Sequence, residues 1–554
     1  MLCFWIIRTP LYKKKAITIF YGANEEERES NQVFFFMNCC NKKSVKRFIF
    51  YYQFSRLRNF VIILVIKFFK GLLLFSYNSN QYSCRMPLGE RGNCMQEQKL
   101  ARGLKNRHVQ LIAIGGAIGT GLFLGSGKSI HLAGPSILFA YLITGVICFL
   151  IMRSLGELLL SNLDYHSFVD FVRDYLGNMA AFITGWTYWF CWISIAMADL
   201  TAVGLYTQYW FPDVPQWVPG LIALVVLLVM NLATVKLFGE MEFWFALIKV
   251  IAILALIVVG IFMIIKGVST NSGTSSFTNL WSHGGMFPNG MNGFILSFQM
   301  VVFAFVGIEL VGLTAGETKD PEKVIPKAIN NIPIRVLIFY IGALFVIMSI
   351  YPWNAINPAE SPFVQVFMAI GIVAAAGIVN FVVLTSAASA CNSAIFSTSR
   401  MVYSLAKDKN APVSLAKLTS RKVPSNALFF SIVVILIGVV LNYVMPEGVF
   451  TLITSISTVC FIYIWGITVI CHLKYRKTRP DLAKKNKFKL PLYPFSNYLI
   501  LAFLAFVLVV LALAEDTRVA LFVTPVWFIL LIAIYKMRKP EENYADQVKK
   551  GKAV

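Results

Sequence analysis

The chain has 554 residues, of which 57% are hydrophobic and only 14% are charged. Ordinary soluble domains carry about 25% charged residues, so this composition indicates an integral membrane protein and argues against a soluble enzyme. The net charge of +23 is explained by membrane topology and by attraction to anionic lipid, and we expect no nucleic-acid partner.

The first 94 residues differ from the rest of the chain. They are rich in Phe, Tyr, Asn and Lys and carry a net charge of +10, from 15 basic and 5 acidic residues. Their apolar segment, 60–75, is interrupted by Lys67, Lys70 and Gly71, and a membrane span tolerates such charges poorly. We interpret residues 1–94 as an atypical extension, disordered or absent from the native product, with Met95 as the native start. A peripheral amphipathic anchor is the alternative.

Twelve apolar runs follow, each of about 18 residues or more and long enough to cross about 30 Å of hydrocarbon. They predict an all-α integral membrane protein with twelve transmembrane helices in a domain over residues 95–538, followed by a cytoplasmic tail over 539–554. The runs are 109–132, 135–160, 178–206, 217–234, 242–265, 291–314, 331–351, 363–398, 426–444, 448–472, 496–514 and 519–537.

Basic residues are divided unequally between the two sides of the predicted membrane domain. With the N-terminus inside, the outward connections hold three of them, Lys128, Lys266 and Arg518, whereas clusters such as 474–477 and 536–539 face inward. Because Lys and Arg are retained on the cytoplasmic side, this asymmetry predicts a multi-pass protein with both termini in the cytoplasm.

The first apolar run contains the glycine-rich segment 114–121, IGGAIGTG. Each glycine costs about 1 kcal/mol relative to alanine inside a helix, so the segment predicts a break. Open backbone at membrane depth is tolerated where it lines a cavity, and there N–H groups bind an anion while carbonyls bind a cation. The segment therefore predicts a site for an amino acid. Its candidate substrate-binding residues are Ile114, Gly115, Gly116, Ala117, Gly119, Thr120 and Gly121.

A second interrupted helix follows five spans later, in the segment 303–312, FAFVGIELVG. Paired broken helices at matching positions predict inverted repeats, here 109–265 and 291–472, with peripheral helices over 496–537. Glycines that only permit close helix packing are the alternative. The candidate substrate-binding residues of this segment are Phe303, Ala304, Phe305 and Gly307, of which Phe303 is also a candidate gate, with ordinary packing as the alternative.

Two ionisable residues inside the spans, Glu309 and Lys249, are candidates for proton coupling. Ionisable groups at membrane depth are functional candidates by default. Lys249 is expected behind the first break, where a sodium ion would sit in a sodium-driven carrier. A structural carboxylate at Glu309 and a lysine that extends to the interface are the alternatives.

Two further acids, Glu157 and Asp199, lie in the second and third predicted spans. The spacing from Arg153 to Glu157 suits an i,i+4 ion pair on a helix, which favours a structural role for Glu157. Asp199 follows a group of aromatic residues late in the third span and receives no assigned role.

No enzyme or metal chemistry is predicted. The ten cysteines form no C-x-x-C pair in the spans, the five histidines are isolated, and neither a Walker loop nor a nucleophile elbow is present in the sequence. We therefore expect no cofactor other than the coupling proton, and no obligate protein partner is evident.

Several segments resemble the amino acid permeases of the amino acid–polyamine–organocation superfamily. They include 115–121 (GGAIGTG), 156–160 (GELLL), 242–249 (EFWFALIK), 307–310 (GIEL) and 317–323 (ETKDPEK). Within that superfamily the chain is most similar to members that carry D-serine, D-alanine and glycine.

The resemblance implies a core of five plus five inverted repeats with discontinuous helices one and six. It further implies proton-coupled uptake of small neutral amino acids across the inner (cytoplasmic) membrane of the cell. The substrate carboxylate would bind at the first break and its ammonium at carbonyls of the sixth span, with Lys249 and Glu309 in proton coupling. A permease for proline, an aromatic amino acid or γ-aminobutyrate is the alternative, and a sensor that binds without transporting is less favoured.

Overall fold

The computed structural model describes residues 118–538, apart from 164, 166, 234, 311–319, 372 and 446–447. These residues are almost entirely helical and belong to one compact unit of the chain. The predictions for residues 1–94 and for the tail at 539–554 lie outside the described residues.

The helices are labelled in chain order. In the first half they are α1 (Thr120–Phe123), α2 (Gly125–Ala133), α3 (Ile137–Ser161), α4 (Phe168–Leu176), α5 (Asn178–Thr207), α6 (Trp217–Asn231) and α7 (Val235–Lys266). In the second half they are α8 (Gly290–Phe303), α9 (Pro321–Asn330), α10 (Ile332–Arg335), α11 (Ala343–Ile350), α12 (Pro362–Ala369), α13 (Val373–Lys407), α14 (Ser425–Val444), α15 (Val449–Thr478), α16 (Pro480–Lys485), α17 (Phe495–Leu513) and α18 (Arg518–Met537). Between α7 and α8 a short hairpin pairs β1 (Ser269–Thr270) with β2 (Gly273–Thr274) in antiparallel register.

The described residues contain nine helical segments that are long and apolar enough to cross a membrane. One of these segments joins α2 to α3 over Gly125–Ser161, and it covers the end of the first predicted span and the whole of the second. Two shorter apolar helices, α6 and α8, overlap the fourth and sixth predicted spans, and α8 ends at Phe303, 11 residues before the predicted end of the sixth. The all-helical membrane architecture expected from the sequence is therefore confirmed.

The predicted span 363–398 is divided in the structure. Gly371 adopts φ 78°, a left-handed value that a right-handed helix cannot continue, and it separates α12 from α13. The helix α13 then extends to Lys407 rather than to residue 398, and most residues of its last turns, among them Met401, Val402 and Leu405, are buried in the protein. Hydrophobicity alone could not show either feature.

Helix α5 lies at the centre of the described helices. In its most apolar window 83% of the residues are buried, against 28% for α18 at the periphery. Helices α13 and α15 make the most extensive contacts with α5. A buried hydrogen bond of 3.0 Å from Trp189 Nε1 to Ser431 Oγ also joins α5 to α14. Side chains on the inner face of α5 are therefore well placed to reach an internal site.

Candidate functional site

In the described part of the first predicted break, Gly119 has an extended backbone and the short helix α1 follows it. Gly119 has φ −128° and ψ −161°, and α1 begins at Thr120. The N–H groups of Leu122 and Phe123 donate to the Gly119 carbonyl at 3.1 and 3.2 Å. The first N–H groups of a helix have no partner inside it, so this start can bind an anion. The candidates Ile114, Gly115, Gly116 and Ala117 lie outside the described residues.

The second break begins where α8 ends, at Phe303. Residues 304–309 form successive turns, and Gly307 adopts φ 99°, a left-handed value that favours glycine. The Gly307 N–H donates to Glu309 Oε2 at 3.3 Å. The Ala304 carbonyl accepts a hydrogen bond of 2.9 Å from the Tyr340 hydroxyl. The helix interruption predicted from the sequence is thus present here.

The two breaks touch each other through Gly121. A Cβ added at Gly121 would lie 2.6 Å from Ala304 Cα and 3.1 Å from Phe303 Cδ1. Real Cβ atoms do not approach other carbon atoms so closely, so only glycine fits at this contact. The structure therefore brings the two predicted segments together.

A small cavity lies at this contact and is partly open to solvent. Its lining residues are Gly119, Thr120, Gly121, Trp192, Ile195, Asp199, Phe303, Ala304, Val306, Ala390 and Ser393. Five of the sequence candidates are among them. Phe305 and Gly307 are not: the Phe305 ring stacks on Tyr340 with 4.9 Å between ring centroids, away from the cavity lining.

Asp199 is the ionisable residue of the cavity lining. Its side chain is 1% exposed, and Thr120 Oγ1 donates to Asp199 Oδ1 at 2.8 Å. The second oxygen, Oδ2, has no hydrogen-bond partner among the described residues. A buried carboxylate oxygen is costly unless it is paired, so this atom is available to a cationic group in the cavity. Asp199 has no role predicted from the sequence, because its partner Thr120 is 79 residues away along the chain.

Lys249 lies behind the first break, as predicted. It is fully buried, and its Nζ donates to the Ile118 carbonyl at 3.2 Å and to Ser389 Oγ at 3.4 Å. Ser386 Oγ donates to the same Ile118 carbonyl at 3.2 Å. The lysine therefore points into the protein, against the alternative of an ammonium that extends to the interface.

A further acid, Glu242, for which the sequence predicts no role, lies near Lys249. Ser389 Oγ donates to Glu242 Oε1 at 2.8 Å, and the Glu242 side chain is 1% exposed. The spacing of seven residues between Glu242 and Lys249 places both on one face of α7, which was the available signal. Glu309, in the second break, is 2% exposed, and the Trp465 side chain lies beside it.

The expected ion pair between Arg153 and Glu157 is wrong. Arg476 Nε lies 2.7 Å from Glu157 Oε1, and His472 Nε2 lies 3.0 Å from Glu157 Oε2. Arg153 instead donates to Asn330 Oδ1 at 3.0 Å, and its guanidinium lies 3.8 Å from the centroid of the Phe488 ring. The partners of Glu157 come from α15, which is far away in the sequence, and the i,i+4 spacing within α3 cannot predict such contacts.

Long apolar helices and an internal polar cavity between two helix breaks define the class of a helical membrane transport protein. The sequence profile of the family described as Amino acid permease matches residues 108–546, and the chain belongs to this family of transporters. It is therefore a multi-pass membrane protein that transports an amino acid and not an enzyme.

Bacterial relatives match about four fifths of the chain. "Uncharacterized transporter YdgF" of Bacillus subtilis (strain 168) is 87% identical over 449 residues, which are 81% of this chain and 98% of that relative. "Amino-acid permease AapA" of the same organism is 80% identical over 81% of this chain and 97% of its own. A "D-serine/D-alanine/glycine transporter" of Escherichia coli (strain K12) is 56% identical over 78% of this chain and 93% of its own.

Proposed function

We propose that this permease takes up glycine, D-alanine and D-serine together with protons across the cytoplasmic membrane. The observation that carries the proposal is the cavity between the start of α1 and the end of α8. It combines helix N-terminal N–H groups with a buried carboxylate, and these match the two charges of an amino acid. The 56% identity to a D-serine/D-alanine/glycine transporter supports this substrate class.

In the proposed complex, the N–H groups at the start of α1 bind the substrate carboxylate. Carbonyl groups of the second break bind the ammonium, and each carbonyl oxygen has two lone pairs, so the Tyr340 contact leaves Ala304 able to accept a second bond. Asp199 Oδ2 lies on the same cavity lining and adds a negative charge for the ammonium. Trp192 and Phe303 limit the room for a side chain, and Phe303 acts as the gate.

Transport would follow alternating access by two inverted repeats, α1–α7 and α8–α15, with α17 and α18 at the periphery and both termini in the cytoplasm. Lys249 and Glu309 carry the coupling proton in this scheme. Both are buried, and each contacts one of the two breaks: Lys249 at the Ile118 carbonyl and Glu309 at the Gly307 N–H. A change of charge at either residue therefore acts directly on the backbone that lines the site.

The substrate class is tested with the purified protein in proteoliposomes. Uptake of labelled glycine is measured with and without an inwardly directed proton gradient. Unlabelled D-serine and D-alanine should compete, whereas proline, phenylalanine and γ-aminobutyrate should not. Competition by one of the larger amino acids and none by D-serine would favour the alternative permease. Binding without accumulation under any gradient would favour a sensor.

The substitution E309Q tests the coupling role. Glutamine keeps the size of the side chain and cannot carry the proton, so gradient-driven accumulation should fall by about 100-fold, the lower end of the range for a positioned proton-transfer group. Exchange of internal for external glycine should persist. The matched control is E360Q, at an exposed acid that bonds Asn357 and lies outside the cavity lining. Accumulation at the wild-type level in E309Q would remove Glu309 from the mechanism.

A further inference from the structure

Glu242 is a buried acid that the proposed coupling scheme leaves unused. Its Oε1 accepts a hydrogen bond of 2.8 Å from Ser389 Oγ, and the same Ser389 oxygen lies 3.4 Å from Lys249 Nζ. All three side chains are 1% exposed or less. A single hydroxyl thus connects the ammonium and the carboxylate, with each donor pointing toward the next acceptor.

We propose that Glu242 receives, through Ser389, the proton that Lys249 releases toward the cytoplasm. This inference rests on the proposed proton coupling and names the residues of its exit path. In the transfer one N–H bond of the Lys249 ammonium breaks and Ser389 Oγ gains that proton. The original Ser389 proton passes to Glu242 Oε1. The products are a neutral amine and a carboxylic acid, and the serine hydroxyl is regenerated.

The direction of the path follows from the position of Glu242 along α7. This helix begins at Val235, on the cytoplasmic side in the proposed topology, and Glu242 is two turns, or about 10 Å, closer to that side than Lys249. One turn further toward the cytoplasm, the Phe238 and Phe396 rings stack with 3.7 Å between their centroids. Arg400 lies 3.0 Å from the centroid of the Phe396 ring. In the proposed topology this stack joins α7 to α13 on the cytoplasmic side of Glu242, so in the proposed path release of its proton requires the two helices to separate there.

The residues around Glu242 suit a carboxylate that accepts a proton and later releases it. The charged groups that act on the pair within the described residues are Lys249 itself and, through Lys249, Asp199 on α5. The groups that face Glu242 from α13 are neutral: Ser389, Asn392 and Ser393. No second base among them competes for the proton, because serine and asparagine side chains do not hold an added proton near neutral pH.

A purely structural role would also place a carboxylate near a buried ammonium, and Ser389 separates the two explanations. The substitution S389A leaves both charges in place and removes only the bridging hydroxyl. If Glu242 only neutralises Lys249, S389A should leave coupling intact. If the hydroxyl carries the proton, S389A should uncouple transport in the same way as E242Q.

The experiment uses the full chain in proteoliposomes with a trapped pH-sensitive dye. Glycine exchange, which needs no proton release, reports on folding and binding. Glycine-driven proton movement and gradient-driven accumulation report on coupling. We expect E242Q and S389A to keep exchange within about twofold and to lose accumulation by about tenfold or more, given what proton-transfer groups contribute. The control S397A removes a buried hydroxyl of α13 that donates to the Ser393 carbonyl of its own helix and should leave both measurements unchanged.

Coupled accumulation at the wild-type level in S389A would overturn the relay while leaving the proposed function standing. Should E242Q fail to bind glycine, S389A alone decides, because it removes one oxygen and no charge. A wild-type protein whose accumulation ignores the proton gradient would instead contradict the proposed function itself. The two failures are therefore distinguishable in one set of measurements.

Discussion

Gly119 and Gly121 are two residues apart, yet they have very different surroundings. A Cβ at Gly121 would lie 2.6 Å from Ala304 Cα, a backbone atom that cannot turn aside. A Cβ at Gly119 would meet Ala390 Cβ at 3.8 Å, an ordinary van der Waals contact. Gly121 is thus constrained by the approach of the two breaks, whereas Gly119 is not constrained by packing.

We predict that G121A destabilises the protein by about 1–3 kcal/mol, the usual cost of overpacking, and separates the two breaks. Its melting temperature in detergent and its glycine uptake should both fall. The matched substitution G119A should melt close to the wild type. Equal melting temperatures for the two variants would contradict the close contact at Gly121.

At the scale of single residues, the sequence indicated the backbone of the site better than its side chains. Glycines reveal an interrupted helix directly, because their helix penalty needs no tertiary context. Asp199 and Ser389 could not be placed at the site, since their hydrogen bonds are to Thr120 and Lys249, which are far away in the sequence. Phe305 is a different case: its position beside the break predicts substrate contact, whereas its ring stacks on Tyr340.

At the scale of helices, the hydrophobic runs predicted where the helices lie. They did not predict where each helix ends or which helices contact each other. The break at Gly371 inside the eighth run was not predicted, because one glycine among apolar residues is compatible with a continuous helix. The partners of Glu157 were also missed. They come from α15 and from the segment before α17, where the Leu490 N–H donates to Glu157 Oε2 at 2.7 Å.

The ion pair between Glu157 and Arg476 connects α3 to α15, and the Glu157 side chain is fully buried. Removing one partner of a buried pair leaves the other uncompensated, so E157Q should lower the free energy of unfolding by about 3–5 kcal/mol. The measurement is thermal unfolding in detergent. The control is D516N, because the Lys128–Asp516 pair is partly exposed and should contribute at most about 1 kcal/mol. If both variants lost a similar amount of unfolding free energy, the buried ion pair of Glu157 would not be the stronger stabilising contact.

At the scale of the whole molecule, the distribution of charge predicts an orientation that helix packing alone does not fix. The α3–α15 contact at Arg476 and the basic segment 474–477 lie toward one end of the described helices in the proposed topology, and the β1–β2 hairpin lies toward the other. Lys and Arg resist transfer across the membrane, so the basic end should be cytoplasmic.

Single cysteines in a cysteine-free background test this orientation. Ser272 lies in the exposed turn between β1 and β2, and Asp481 lies on the exposed surface of α16. In intact cells a membrane-impermeant maleimide should label S272C and leave D481C unlabelled until the membrane is permeabilised. Because the two positions are joined through an odd number of predicted spans, from the sixth to the tenth, reversed labelling would invert every connection. The basic clusters would then face outward. The proposed release of the proton from Glu242 to the cytoplasm would also be wrong.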